Sequence, residues 1–217
     1  RLTDSNPWLA DIDLGRQEVV RFTARDGLPI EGVLLHPVRR AEEERVPLIL
    51  YVHGGPESHH SNGWHTRYSD PGHVWAGMGG AVFYTNYRAS TGYGVPFSKA
   101  DHGDFAGAEF DDLVDAVDHL IARGLADSTR VGVTGGSYGG YATGWLCTRY
   151  SDRFAAGVMF VGISNNISKF GTSDIPEEMF LVHQRKRTYD HWDFFLERSP
   201  IYHAGQAETP LLILHGK

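Results

Sequence analysis

The chain has 217 residues, 41% of them hydrophobic, and a formal net charge of −7 at pH 7. That length suits one sizeable core, and the acidic balance argues against nucleic acid and anionic membranes as partners, since both require a basic face. No apolar run approaches the roughly 18 residues of a membrane-spanning helix, and the single cysteine excludes an internal disulfide framework.

The first ten residues, RLTDSNPWLA, lack the charged and apolar regions of a signal peptide. This does not decide the compartment, because a leader can be removed from a mature protein. We therefore favour a cytoplasmic location and keep a periplasmic or secreted one open.

Two strand-like stretches open the chain, at Glu18–Thr23 and Ile30–His36, and an Asp-Gly pair between them predicts a turn. A charged linker follows at 39–45. Next comes Val46–Val52, an almost unbroken apolar run that is typical of a strand buried on both faces of a parallel sheet.

Further apolar runs predict more strands, and helical patterns lie between them. Apolar residues from Phe110 to Ile121 recur on one helical face, and Tyr141–Tyr150 is also helical in pattern. The strand-like runs are 80–85, 131–134, 155–161 and 210–214. Strands that alternate with helices predict an α/β fold with a mostly parallel, doubly wound sheet.

Unusual residues follow the predicted strands at their carboxyl ends. They are His53-Gly-Gly-Pro56, Asn86-Tyr-Arg88, Gly135–Gly139 and His215-Gly216. In sheets of this kind the chemistry gathers at that edge. The sequence therefore predicts a functional site along it.

The segment VGVTGGSYGG (131–140) places Ser137 between two glycine pairs, where a predicted strand gives way to a predicted helix. Chance alone yields roughly 0.2 matches to Gly-x-Ser-x-Gly in a chain of this composition, so the bare pattern is weak. The strand–turn–helix context strengthens it, because a tight turn there makes the serine oxygen stand clear of the sheet. Ser137 is thus a candidate nucleophile, with a structural turn as the alternative.

Attack by Ser137 on a carbonyl would create an oxyanion, which needs preorganised N–H donors. The backbone N–H of Tyr138, directly after the serine, is one candidate. The other is the N–H of Gly55, where the missing side chain lets a substrate approach closely. A plain strand-to-loop turn is the alternative interpretation of residues 53–56.

A catalytic serine also needs a histidine base and an orienting carboxylate, in the chain order Ser, Asp or Glu, His for this fold class. The acid should follow the strand at 210–214, and the base should follow one strand more. The histidines after Ser137 do not suit that order; they are His183, His191, His203 and His215. We therefore predict that acid and base lie beyond Lys217, that the sheet is C-terminally incomplete, and that residues 1–217 alone are inactive.

A group of histidines, His59, His60, His65 and His73, matches no zinc signature. We predict solvated loop histidines there, with neither a metal nor a cofactor. The aspartates at 111–118 are predicted to form a solvated helix face.

Arg88 is expected to join an ion pair that fixes its loop, and Asn86 to have a similar structural role. Cys147, in the predicted helix after the serine turn, is expected to be a buried, inert thiol. The basic run Gln184–Arg187 is predicted to be a solvated loop.

Together these motifs resemble the peptidase domain of the prolyl oligopeptidase family of serine peptidases. The resemblance covers nearly the whole chain. It implies an α/β-hydrolase fold at 16–217 and an N-terminal β-propeller, which residues 1–15 would connect to it. The matching motifs are YVHGGP (51–56), NYRASTGYG (86–94), EFDDLVDAVDHLI (109–121), RVGVTGGSYGGYAT (130–143), SPIYHA (199–204) and TPLLILHG (209–216).

By this resemblance Ser137 is the nucleophile and the N–H of Tyr138 an oxyanion donor. Proline-specific members carry a tyrosine where this chain has His53. The HGGP form is similar to acylaminoacyl-peptidase-like members, in which a backbone N–H, here that of Gly55, takes the tyrosine's role. The resemblance therefore does not imply strict proline specificity.

The resemblance also implies that GISNNISKF (162–170) borders the pocket for the residue before the scissile bond. Ile163 and Asn166 are the implied substrate-binding residues. The segment lacks the aromatic side chain that stacks on proline in proline-specific members.

The sequence leaves three functions open. The first is a serine peptidase of the acylaminoacyl-peptidase or dipeptidyl-peptidase type, which cleaves short peptides through an acyl-enzyme on Ser137. Homo-oligomerisation of that full-length protein stays open. The second is a carboxylesterase with the same site, and the third is a non-catalytic binding module of the same fold.

Overall fold

A computed structural model describes residues 3–65, 67 and 70–216 of the chain, and its strands form one seven-stranded sheet. The strands are β1 (Gln17–Thr23), β2 (Pro29–Leu35), β3 (Val46–Val52), β4 (Ala81–Asn86), β5 (Ala126–Gly136), β6 (Ala156–Phe160) and β7 (Leu211–Leu214). Their order across the sheet is β1-β2-β4-β3-β5-β6-β7. The β1–β2 and β2–β4 pairs are antiparallel, and the pairs from β4 to β7 are parallel.

Helices occupy most of the connections between these strands. They are α1 (Gly72–Gly77), α2 (Val95–Ser98), α3 (Ala108–Ala122), α4 (Tyr138–Arg149), α5 (Asn166–Thr172), α6 (Pro176–Glu178) and α7 (Trp192–Glu197). A π-helical turn at Met179–Gln184 follows α6, and short 3₁₀ turns lie at Pro7–Asp11, Ser151–Arg153, Thr188–Asp190 and Pro200–Gln206. In the described part of the chain, none of the helices has the length and apolar character needed to cross a bilayer.

The sheet is covered on both faces. The larger apolar cluster packs α3 and α4 against one face, with Leu50, Phe110 and Leu146 inaccessible to solvent. A smaller cluster packs α1 on the other face, around Val82 and Tyr84. Burial on both faces explains why β3 is apolar at nearly every position.

The strand register brings the strand ends to one level. Val52, the last residue of β3, pairs with Thr85 and with Gly135. On β5 the next residue, Gly136, pairs with Phe160, which in turn pairs with Leu214. The turns that follow β3, β5 and β6 therefore start side by side, as predicted.

The observed strands agree with the prediction except that β5 begins at Ala126, five residues before the apolar run. Polar residues there suggested a loop, but the stretch continues beside β3 through an irregularity between Val46 and Leu48. Helix α4 also begins earlier than its side-chain pattern indicated, at Tyr138, because the glycines in its first turn carry no pattern.

The predicted solvated face of α3 is wrong at Asp112, which is fully buried. Its carboxylate is paired with the guanidinium of Arg88, at 2.7 Å and 2.9 Å. Arg88 also binds Asp26 at 2.7 Å. The guanidinium fork supplies two donors to the buried carboxylate, which offsets its loss of hydration. The predicted ion pair of Arg88 is confirmed.

Asn86 fixes the neighbouring loop, as predicted. Its Oδ1 accepts from the backbone N–H of His60 at 2.7 Å, and its Nδ2 donates to the carbonyl of the same residue at 2.9 Å. Cys147 is a buried free thiol, as predicted, and burial raises its pKa to about 12.

The prediction of a solvated loop at 184–187 is wrong at Gln184, which is buried. The neighbouring Lys186 donates to the carbonyl of Gly103 at 2.6 Å. Arg187 lies 3.8 Å from the ring centre of Phe180 and pairs with Glu177. The Lys186 contact docks the segment on the loop that precedes α3, and the Arg187 contacts tie it to α6 and the π-helical turn.

Candidate active site

Ser137 lies at the junction of β5 and α4, in a backbone conformation that few non-glycine residues adopt. Its φ and ψ angles are 59° and −119°. Two hydrogen bonds hold it there: its N–H donates to the carbonyl of Phe160 at 3.0 Å, and its carbonyl accepts from Tyr141 at 2.9 Å. Strain of this kind persists only where the surroundings impose it, and it clusters at functional sites.

The glycines around Ser137 are required by close backbone packing. A Cβ atom on Gly135 or on Gly139 would collide with the carbonyl oxygen of Val52. The strand β3 thus presses directly on both sides of the turn. The sequence pattern required small residues two positions before and two positions after the serine, and the packing supplies the reason.

The turn after β3 lies against this serine. A Cβ atom on Gly54 would stand 3.2 Å from Ser137 Cβ and 3.8 Å from Ser137 Oγ. The next residue, Gly55, has a φ of +129°, which side chains rarely tolerate. The turn that contains Gly55, after β3, is therefore packed through Gly54 against the turn that contains Ser137 and Tyr138, after β5.

His53 fixes the peptide group between Gly54 and Gly55. Its Nδ1 lies 2.9 Å from the carbonyl oxygen of Gly54. Its Nε2 lies 2.8 Å from Ser90 Oγ, and its ring stacks on Tyr87 with centroids 4.4 Å apart. In a planar trans peptide the C=O and N–H point in opposite directions, so holding this carbonyl also fixes the direction of the Gly55 N–H.

The His53 ring is buried and neutral near pH 7. Burial lowers its pKa to about 4, since a charged ring would lose its hydration. A neutral imidazole carries one N–H. The Gly54 carbonyl can only accept, and Ser90 Oγ, which donates its own hydrogen to the carbonyl of Tyr87 at 2.6 Å, also faces the ring as an acceptor, so the single N–H serves one of these two contacts at a time.

Tyr138 is the first residue of α4, so its N–H has no acceptor within the helix. The carbonyl across the same peptide group, that of Ser137, points along the helix to Tyr141. The Tyr138 N–H must then point away from the helix. Its side chain is buried, and its hydroxyl donates to Glu109 at 2.8 Å.

Ile163 and Asn166 lie just after β6, in the segment predicted to border the substrate pocket. Ile163 is half-buried against the larger apolar cluster. Asn166 is only 2% exposed, and its Nδ2 donates to Tyr141 Oη at 3.1 Å and to the carbonyl of Arg198 at 2.7 Å. Its amide thus ties the segment to α4 and to the end of α7.

The histidines that follow the serine turn have other partners. His183 lies between Glu57 and Glu178, with nitrogen–oxygen distances of 3.3 Å and 3.6 Å. His203 Nε2 lies 2.9 Å from the carbonyl of Glu197. Both rings thus have partners other than Ser137.

Only some of the histidines that were predicted to be solvated are exposed. His59 is exposed, but His60 packs against Tyr51, Tyr84 and His53 with ring centroids 5.0–5.5 Å apart. Burial lowers the pKa of His60 to about 2. The prediction failed because the loop folds back over aromatic side chains of β3 and β4. Among the residues that the structure describes, no group of three or more His, Cys, Asp or Glu side chains could hold a metal ion.

Two residues at the site were not singled out from the sequence. Ser90, which contacts His53, lies in a glycine-rich segment that looked like plain loop. Glu109 precedes Leu113 by four residues, a spacing that places it on the buried face of α3. That spacing could have indicated that Glu109 is buried. No sequence pattern indicates the contact between Ser90 and His53.

Comparison with known proteins identifies relatives of this chain. The profile of the prolyl oligopeptidase family matches residues 66–217. An uncharacterised peptidase, YuxL, of Bacillus subtilis (strain 168) is 41% identical over 201 residues, which are 92% of this chain and 30% of that protein. Dipeptidyl aminopeptidase BIII of Pseudoxanthomonas mexicana is 36% identical over 100% of this chain and 32% of its own length.

A solved structure of Pyrococcus horikoshii acylaminoacyl peptidase superposes with a TM-score of 0.87 at 29% identity. The match covers 98% of this chain and 34% of that one. The chain thus spans about a third of the length of the relatives it matches.

Proposed function

Because the chain belongs to the prolyl oligopeptidase family, we propose that it carries the nucleophile and the oxyanion hole of a serine peptidase that acts on short peptides. The observation that carries the proposal is the strained backbone of Ser137, with the His53–Gly55 turn packed against it. Relatives named acylaminoacyl peptidase and dipeptidyl aminopeptidase support the same class of reaction.

In the proposed reaction Ser137 Oγ attacks the scissile carbonyl while its proton passes to a histidine base. The carbonyl oxygen becomes an oxyanion, which the N–H groups of Tyr138 and Gly55 stabilise. As this intermediate collapses, the histidine gives its proton to the leaving nitrogen, the amine departs, and the acyl-enzyme left on Ser137 is then hydrolysed by water. We place the base and its acid outside residues 1–217, since the described histidines near the site are held by other groups.

Ile163 and Asn166 are proposed to border the pocket for the residue before the scissile bond. The half-buried Ile163 offers an apolar surface. Asn166 would act through its fixed position between Tyr141 and Arg198, which shapes the wall. Such a wall gives no stacking surface for proline, so we expect a broader preference at this position.

The test is steady-state hydrolysis by the full-length protein that carries this chain. Peptide p-nitroanilides with free and with acylated N-termini would be compared with a p-nitrophenyl ester of the same acyl group. Ser137→Ala should reduce kcat on peptides by a factor on the order of 10⁴–10⁶, whereas Ser128→Ala, at an exposed position of β5, should be neutral.

Peptide hydrolysis that survives Ser137→Ala would refute the proposed nucleophile. Hydrolysis of the ester alone, lost in Ser137→Ala, would keep the nucleophile and replace the peptidase with an esterase. Activity on neither substrate would favour the non-catalytic module.

A further inference from the structure

The carboxyl group of Glu109 is fully buried in the first turn of α3. It accepts hydrogen bonds from the hydroxyl of Tyr138 at 2.8 Å, from the N–H of Gly107 at 3.0 Å and from the N–H of Ala106. All three partners are neutral donors. A carboxyl group placed in a core without a cation is costly, so its placement calls for a role beyond stability.

Glu109 binds the side chain of Tyr138, whose backbone N–H is one donor of the proposed oxyanion hole. Tyr138 has Ser137 on one side of it in the chain and the first turn of α4 on the other. Its ring packs edge-on against Phe105 at 4.9 Å and against Tyr141 at 5.4 Å. Ring contacts are less directional than a hydrogen bond. The hydrogen bond to Glu109 therefore sets the position of the hydroxyl end of the Tyr138 ring.

The same carboxyl group also holds the loop before α3. Ala106 in that loop has a φ of 54°, and Phe105 accepts at its carbonyl from Arg198 at 2.9 Å. Arg198 is the residue whose own carbonyl accepts from Asn166. A chain of direct contacts thus runs from the proposed pocket wall through this loop and Glu109 to Tyr138.

We propose that Glu109 is a positioning residue that sets the direction of the Tyr138 N–H through the hydroxyl of Tyr138. This rests on the proposed function, because the N–H matters only if it binds an oxyanion. The Ser137–Tyr138 peptide group is fixed at its carbonyl by Tyr141 and at the Tyr138 side chain by Glu109. Removal of the second contact loosens the peptide group on its Tyr138 side, while the backbone packing of Gly135 and Gly139 still holds the turn as a whole.

A nearly neutral carboxyl can perform this role. Burial raises the pKa of Glu109 to about 8, against the hydrogen bond from Tyr138, which lowers it. The nearby Asp101 adds to the rise. The protonated acid still offers one oxygen to the Tyr138 hydroxyl, and a glutamine amide offers the same oxygen at the same place.

The chain contains a matched control for this contact. Tyr150, directly after α4, donates to Asp111, so a second tyrosine–carboxylate pair joins the same two helices at the end far from Ser137. Tyr138→Phe and Tyr150→Phe each remove one hydroxyl, keep the ring and keep the backbone N–H. They differ in which end of α4 is released, and Tyr150 is also the less buried of the two, with Arg25 paired to its Asp111 partner.

The experiment measures kcat, KM and the affinity for a peptide boronate in the full-length protein. The boronate forms a tetrahedral adduct on serine, and its oxygen occupies the oxyanion hole. We expect Tyr138→Phe to lower kcat and the boronate affinity together by about 10-fold, a fraction of the effect of losing a whole oxyanion donor. KM should stay within about twofold, because ground-state binding does not use the hole.

Glu109→Gln should retain most of the activity, and Glu109→Ala should lose at least as much as Tyr138→Phe. If Glu109→Ala does not fold, Tyr138→Phe still decides the matter. Equal kcat and equal boronate affinity in Tyr138→Phe and Tyr150→Phe would overturn the positioning role while Ser137→Ala remains inactive. Activity retained in Ser137→Ala would instead refute the proposed function, which keeps the two failures distinct.

Discussion

Two turns meet at the carboxyl edge of the sheet, and the protein holds them in different ways. The turn after β5, which carries Ser137, is fixed by backbone packing, because Gly135 and Gly139 lie against the carbonyl of Val52. The turn after β3, which carries Gly55, is fixed by a side chain, because His53 holds the carbonyl of Gly54. We therefore expect the first turn to be lost only with the fold, and the second to be loosened by loss of the His53 side chain while the fold survives.

The largest effect should follow a change at the packed turn. In Gly139→Ala the new methyl group would collide with main-chain atoms of Val52, which cannot move without displacing β3. We expect a loss of about 3 kcal/mol or more, at or above the upper end of the usual cost of overpacking, because the clash is with backbone atoms that cannot rotate away. Soluble yield and thermal melting of the full-length protein measure it.

The control is Gly171→Ala, in α5, where a Cβ atom meets no other group within 4 Å. Alanine there should be neutral or stabilising by about 0.5–1 kcal/mol, because glycine weakens a helix interior. A Gly139→Ala protein that melts with the wild type would show that the turn after β5 is not fixed by packing.

The next effect should follow a change at the turn held by a side chain. His53→Ala removes the contact with the Gly54 carbonyl, so the Gly55 N–H is no longer held in one direction. We expect kcat/KM on peptides to fall by about 10²-fold, the scale of losing one oxyanion donor, while the protein stays folded.

His53→Asn provides the matched variant. The amide nitrogen of asparagine lies where Nδ1 of histidine does, so it can donate to the Gly54 carbonyl and should recover part of the activity. Unchanged kcat/KM in His53→Ala would show that this side chain does not hold the Gly55 N–H in place.

The last effect concerns the pH dependence of stability. The folded chain holds the His53 ring with a pKa of about 4, below the ordinary value of 6.5, so the unfolded chain takes up a proton at higher pH. The stability that depends on the neutral ring is therefore complete above about pH 6.5 and is lost as the pH falls towards 4. A pKa lowered from 6.5 to about 4 corresponds to at most about 3.4 kcal/mol.

Urea unfolding of the wild type and of His53→Asn, at about pH 7 and about pH 4.5, measures this contribution. The variant has no ring to protonate at this position, so its midpoint should fall less than that of the wild type. Equal losses in the two proteins would show that protonation of His53 does not destabilise the fold.

The comparison also explains what could be predicted from the sequence. Glycines that must lie against a backbone, and the apolar run of β3, are local features, so the turn at Ser137 and the sheet edge were predicted correctly. Contacts between distant side chains leave no local pattern. Three such contacts could be recognised only in the folded chain. They are Ser90 with His53, Arg88 with the buried Asp112, and Glu109 with Tyr138.

The histidines of the loop after β3 show the same limit. Their polar neighbours in the sequence suggested solvation, yet His60 packs on rings from two adjacent strands. Burial there is set by Asn86, which binds the backbone of His60 from β4. A pattern read along one segment cannot supply a partner that lies 26 residues away.

The central claim is that the turn after β5 presents Ser137 as a nucleophile. The most direct test is labelling of the full-length protein with a fluorophosphonate, followed by peptide mapping of the modified residue. We expect one labelled peptide, containing Ser137, and no labelling in Ser137→Ala at equal folded concentration. Labelling that persists in Ser137→Ala, or that maps to another serine in the wild type, would contradict the claim.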